Sequence, residues 1–261
     1  MNDTKKHKIT DNVDHSFKNK KKKSGLSEES SLYKSFITYQ TELDKRNDKH
    51  ERLVKLSRDV TIQSKRAIFS LLRKSEDREK IVSEGRNKIS EIKILLESMN
   101  QELQNEDIYR FHRAFSPGIQ EFVEAISLLY YLEKSSVISY EEVAEIYFDF
   151  GEDSTNFLTP IDYMLGIADL TGELMRMAIN AIGNGEFDLV GEICSTLQEI
   201  HSNFSSFSSN QRELSRKLNV MKNSLRKVES AYYNLKIRGS ELPMHLLTNL
   251  FIEKEDTDNQ E

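Results

Sequence analysis

The stretch SPGIQEFVEAISLLYYLEKSS, residues 116–136, decides the fold. Set on a helix at about 100° per residue, Ile119, Phe122, Val123, Ile126, Leu129 and Tyr130 form one apolar face, with Glu121 and Glu124 nearly opposite. Leu128 and Leu132 then carry apolar character onto the glutamate side. A helix apolar all round belongs in an interior, so this segment is expected inside a helical bundle. Two acids one turn apart on such a helix are either a solvated pair on an exposed face or part of a cation site at the mouth of a cavity.

The flanking sequence supplies the rest of a bundle. Val82, Gly85, Ile89, Ile92, Leu96, Met99 and Leu103 recur at steps of three and four, and so do Leu214, Leu218, Met221, Leu225, Val228, Tyr232 and Leu235. Each series is a heptad seam able to pack on another helix within the chain or between chains. Residues 32–74 read as a further long helix with Leu53, Leu56, Val60, Ala67 and Leu71 inward. Start and stop signals punctuate the second half. Ser139 stands three residues before Glu142 as a capping box, and Thr159 precedes Pro160 as an N-cap. GNG at 183–185 closes one helix, and RGSELP at 238–243 ends another and starts a short last one. The expectation is an all-α, single-domain bundle of six to eight helices over residues 32–252. Residues 1–31 read as a disordered basic tail and 253–261 as an acidic one.

Composition excludes several classes. With 37% apolar residues, ten glycines and three prolines in 261 residues, the chain has too little turn chemistry for a β-sandwich or a doubly wound α/β fold. Its longest apolar run, LLYYL, is far short of the roughly 20 residues of a membrane span. The basic start has no apolar segment behind it, unlike a secretory signal. The single cysteine, Cys194, suits the cytosol or nucleus, and the six scattered histidines argue against zinc. KNKKKKSG at 18–25 reads as either a nuclear import signal or a tail that attracts RNA, so cytoplasm and nucleus are the expected locations. Residues 1–25 hold eight lysines against three aspartates, which leaves −11 on the remainder of a chain of net charge −6. Nucleic acid bound to that remainder needs a local basic patch or a basic partner.

A second segment bears on the acids. In TPIDYMLGIADLTGELMRMAINAIGNG, residues 159–185, the side chains of Asp162, Asp169, Glu173, Arg176 and Asn180 share one narrow stripe with Gly166 on an otherwise apolar helix. Gly166 and Gly172 each cost a helix about 1 kcal/mol relative to alanine, which close packing or a nearby ligand would explain. Asp169 and Glu173 present carboxylates to one point, although Glu173 and Arg176 could form a simple surface pair. Two helices each offering two carboxylates suit Mg²⁺, which takes oxygen ligands and can activate water against a phosphodiester. YRFHRAF at 109–115 places Arg110, His112 and Arg113 among aromatics just before the first acids. That mixture suits single-stranded nucleic acid, or is an ordinary amphipathic turn.

RFHRAFSPGIQEFVEA (110–125), the 159–185 segment and KVESAYYNLKIRGSELPMHLL (227–247) resemble the translin family. The acids at 121 and 124 and the string ADLTGELMR place the resemblance on its translin-associated factor X branch. The resemblance implies a fold of about seven helices and a closed, roughly octameric assembly with translin. It further implies a Mg²⁺-dependent endoribonuclease acting on single-stranded RNA within that assembly, in RNA silencing and tRNA processing. By motif position the implied catalytic and metal-binding carboxylates are Glu121, Glu124, Asp169 and Glu173, none needing a displaced pKa once a metal favours its ionised form. The implied RNA contacts are Arg110 and His112, with Arg113 beside them. The link DFGEDSTNFL (149–158) is shorter than in many relatives. Two other functions fit the same residues: a non-catalytic adaptor working through its heptad seams, and a nucleic-acid carrier without cleavage.

Overall fold

The computed structural model describes residues 30–73, 77–151, 156–207 and 212–238. The lysine stretch 18–25, the short last helix expected after residue 238 and the acidic end lie outside the described residues. Among the described residues there are seven α-helices and no strand: α1 (Ser31–Leu71), α2 (Arg78–Leu103), α3 (Ile108–Lys134), α4 (Tyr140–Tyr147), α5 (Pro160–Asn184), α6 (Phe187–Ser206) and α7 (Arg212–Arg238). The chain divides into two units, residues 1–46 and 47–261. In the first, residues from Ser31 onward are helical, with an Arg46–Glu42 ion pair one turn apart. The second holds the core.

The helix ends follow the sequence signals. Asp77 caps α2 by accepting from the Lys80 amide, and Asp107 caps α3 through the Tyr109 amide. Ser139 and Glu142 form the expected capping box on α4. Thr159 caps α5, Pro160 takes its first turn, and Gly185 ends it at φ 79°, in the left-handed region that favours glycine.

Both heptad seams are spent inside the chain. Gly85, Ile89, Ile92, Leu96, Met99 and Leu103 are buried along α2, and Leu214, Met221, Leu225, Val228 and Leu235 along α7. At the start of α2, Ile81 is buried where the seam predicts Val82, which is only half-buried. A straight helix drifts against a 3.5-residue repeat, so one end of a seam slips by a position. On α1, Leu53, Val60, Ala67 and Leu71 are buried and Leu56 partly so.

α3 and α5 are the central pair. α5 also packs on α6 and α7, α6 packs on α7, and α2 packs on α3. α3 is buried on nearly every side from Phe122 to Leu129, as an all-round apolar helix should be. Pro117 lies inside α3 and lacks the N–H that would continue its ladder. Beside it, Ser57 of α1 donates to the Phe115 carbonyl (3.2 Å) and accepts from the Gly118 amide (3.0 Å), tying α1 to this turn of α3.

Candidate active site

The site begins with a close helix crossing. A Cβ on Gly166 would lie 2.7 Å from Val123 Cβ and 2.8 Å from the Gln120 carbonyl, so only glycine lets α5 approach α3 this closely. Close packing therefore explains Gly166. Nothing lies within 4 Å of a Cβ at Gly172, which packing does not explain. The crossing sets Glu121 and Glu124 of α3 against the turns of α5 that carry Asp169 and Glu173.

One turn earlier on α5, Asp162 is fully buried and locks the two helices in register. Its Oδ1 accepts from Ser116 Oγ (2.5 Å) and Gln120 Nε2 (3.1 Å). Its Oδ2 accepts from His112 Nε2 and Thr159 Oγ1, both at 2.7 Å. Every acceptor position of the carboxylate is filled, which is what makes burying it tolerable. The Thr159 cap thus does two jobs, ending the backbone of α5 and holding its first acid.

The four acids respond to one another. Glu124 is 8% exposed and has no hydrogen bond or ion pair among the described residues. Burial, then the negative charges of Asp169, Glu121 and Glu173, push its carboxyl up to about 8, with Lys217 pulling the other way. Glu173 is also raised, chiefly by burial, with Arg176 opposing and Glu121 reinforcing the shift. Three of the acids are each drawn to a basic side chain. Lys65 Nζ of α1 stands 3.1 Å from Glu121 Oε1, Lys217 of α7 pairs with Asp169, and Arg176 Nη2 lies 2.5 Å from Glu173 Oε2. The Arg176 contact reaches Glu173 Oε2, so a guanidinium holds that buried oxygen. Among the described residues, no three carboxylate, imidazole or thiol groups gather closely enough to hold a metal ion in this arrangement. The donor chemistry nevertheless fits a hard divalent cation: all four ligand candidates are carboxylates, and Glu124 is a buried acid with no counter-charge of its own.

The residues expected to contact nucleic acid part company. Arg110 and Arg113 are exposed and lie with Pro117, Glu121 and Glu124 within about 80° of the α3 surface, so cations and acids share one stripe. His112 faces the other way, into Asp162. Sequence reasoning placed Asp162 on a polar strip without a role, although the T-x-x-D spacing of a cap was its visible signal. Lys65 and Lys217 were missed altogether, because each meets its acid only through tertiary packing.

The translin family model matches residues 48–239, most of the chain. The chain is 43% identical over 249 residues to mouse translin-associated protein X, covering 87% of this chain and 86% of that one. Against the Schizosaccharomyces pombe homologue of that protein it is 33% identical over 224 residues, covering 80% and 90%. Mouse translin is more distant, at 26% over 216 residues. Among solved structures, apo-NeC3PO superposes with a TM-score of 0.60 at 22% identity, covering 75% of this chain and 94% of that one. A duplex RNA complex of AfC3PO gives 0.60 at 20%, covering 80% and 100%. At these identities the two structures speak for the fold, and the matches to the translin model and to translin-associated protein X speak for descent: this chain belongs to the translin family.

Proposed function

We propose that this chain is the hydrolytic subunit of a hetero-oligomer with translin, and that it cleaves single-stranded RNA at the acids of α3 and α5 with Mg²⁺. The observation that carries this reading is Glu124, a buried carboxyl facing three other acids without a counter-charge. Folding gains nothing from an acid in that position, whereas binding a cation does. Glu121, Glu124 and Asp169 would hold the ion, which when bound supplies Lewis acidity toward a phosphate oxygen and a more acidic water.

The chain's own groups account for the remainder. Glu124 would be ionised beside a cation, whose charge offsets the burial and the neighbouring acids that raise its carboxyl. Glu173, paired with Arg176 at the edge of the cluster, would ligate the ion or orient the attacking water. Arg110 and Arg113 precede the acids along the same stripe of α3, where they can hold phosphates of the bound strand. Asp162 keeps α3 and α5 in register through His112, Ser116 and Gln120, so His112 acts as a positioning residue. Most residues of both heptad seams are buried within the chain, which supports a bundle core over an adaptor surface.

The test is cleavage of a 5′-labelled single-stranded RNA by this chain co-expressed with translin, in Mg²⁺ and in EDTA. Cutting that needs Mg²⁺ and is lost in Glu124→Gln, with assembly unchanged, supports the reading. Equal cutting by both proteins refutes it, and RNA binding without cutting by either favours the carrier.

A further inference from the structure

We propose that the exposed stripe of α1 from Arg58 to Phe69 is a track that leads single-stranded RNA to the carboxylates; this rests on the function proposed above. Over residues 58–71 the exposed side chains are Arg58, Ile62, Lys65, Arg66 and Phe69. They fall within about 100° of the helix surface, and all three charged ones are basic. On a chain of net charge −6 that is the local basic patch nucleic acid would need.

Internal packing does not account for the stripe. Phe69 is 74% exposed and Ile62 48%. Arg58 and Arg66 have no ion pair or side-chain hydrogen bond among the described residues. Arg73, past the end of α1, is held by Glu84 at 3.2 Å and is not part of the stripe. Lys65 fixes where the stripe leads, since its ammonium stands 3.1 Å from Glu121. A ligand lying on the stripe is therefore delivered to the acid cluster.

Cations alternating with apolar faces match a strand whose phosphates and unpaired bases both need partners, whereas a duplex hides its base faces. Arg58 to Phe69 spans about 16 Å of helix, roughly five phosphates at the ~3.4 Å axial spacing of a stacked strand. Lys65, largely exposed, can turn from Glu121 to a phosphate as the strand arrives. An acidic protein segment would satisfy the arginines, but continuity with the carboxylates favours a substrate.

The experiment measures binding of a 5′-fluorescein oligouridylate to the full assembly in EDTA, across a salt titration, so that nothing is cut. The variants are Arg58→Ala with Arg66→Ala, and Phe69→Ala; Lys65 is left intact so that Glu121 keeps its partner. The double variant should lower the slope of log affinity against log salt by about 1.4, at roughly 0.7 per phosphate contact. Phe69→Ala should weaken binding about fivefold or more through lost stacking. Wild-type affinity and slope in both variants would overturn the track and leave the carboxylate site standing. Variants that sediment as smaller species would overturn it too, making the stripe a subunit contact. A wild-type assembly that binds no single-stranded RNA would sink both the track and the proposed function.

Discussion

Glu124→Gln should stabilise the protein, and increasingly so as pH rises. Burial and three neighbouring acids disfavour its charge and push the carboxyl up to about 8 in the folded chain, from an ordinary value of 4.5. A raised carboxyl pKa means that the folded state binds more protons than the unfolded state between those two values. The stability Glu124 provides is therefore complete below pH 4.5 and is lost as pH climbs through 8. At 1.36 kcal/mol per unit, the wild type should lose about 3 kcal/mol relative to Glu124→Gln between pH 5.5 and 8. For a chain of this size that corresponds to roughly 6–12 °C in melting temperature. The proton belongs to the cluster as a whole, so the transition should be broader than that of a lone acid. The assay is thermal melting of the purified protein in EDTA across that range. A glutamine variant no more stable than wild type at pH 8, or one whose advantage ignores pH, would refute the reasoning.

Three further outcomes follow from the same geometry. At pH 7.5, Mg²⁺ at about 100 times its dissociation constant should stabilise the wild type by about 2.7 kcal/mol, and a thermal-shift titration should show most of this lost in Glu124→Gln and Asp169→Asn. Asp162→Ala leaves His112, Ser116 and Gln120 without their shared acceptor and should cost about 3 kcal/mol, read as a fall in the urea midpoint. Gly166→Ala forces a methyl group against Val123 and the Gln120 carbonyl, so denaturation should show a loss of about 1–3 kcal/mol, with RNA cleavage falling as the two acid pairs separate.

Much of the fold was legible because its signals are local. The α2 and α7 seams, the capping box at Ser139 and the Thr159–Pro160 start each depend on residues within a few turns. The acids were legible for the same reason, since their spacing puts each pair on one side of one helix. What sequence could not supply is set by partners far along the chain. Lys217 meets Asp169 and Lys65 meets Glu121 only after α7 and α1 dock. Asp162 has the pattern of a surface polar residue, and its burial depends on three side chains of α3 converging on it. His112 illustrates the cost of composition: a basic-aromatic run reads as one binding element, yet the helix turns its histidine inward and its arginines outward. The exposed stripe of α1 has no local signature, because its cations lie up to two turns apart rather than clustered in sequence.

The central claim, that α3 and α5 together hold a divalent cation, is tested most directly by anomalous diffraction from crystals of the assembly soaked in Mn²⁺ as a stand-in for Mg²⁺. The expected result is an anomalous peak bonded to Glu124 and shared with Glu121 and Asp169, absent from Glu124→Gln crystals. A peak bound elsewhere, or no peak among these acids at saturating Mn²⁺, would contradict it.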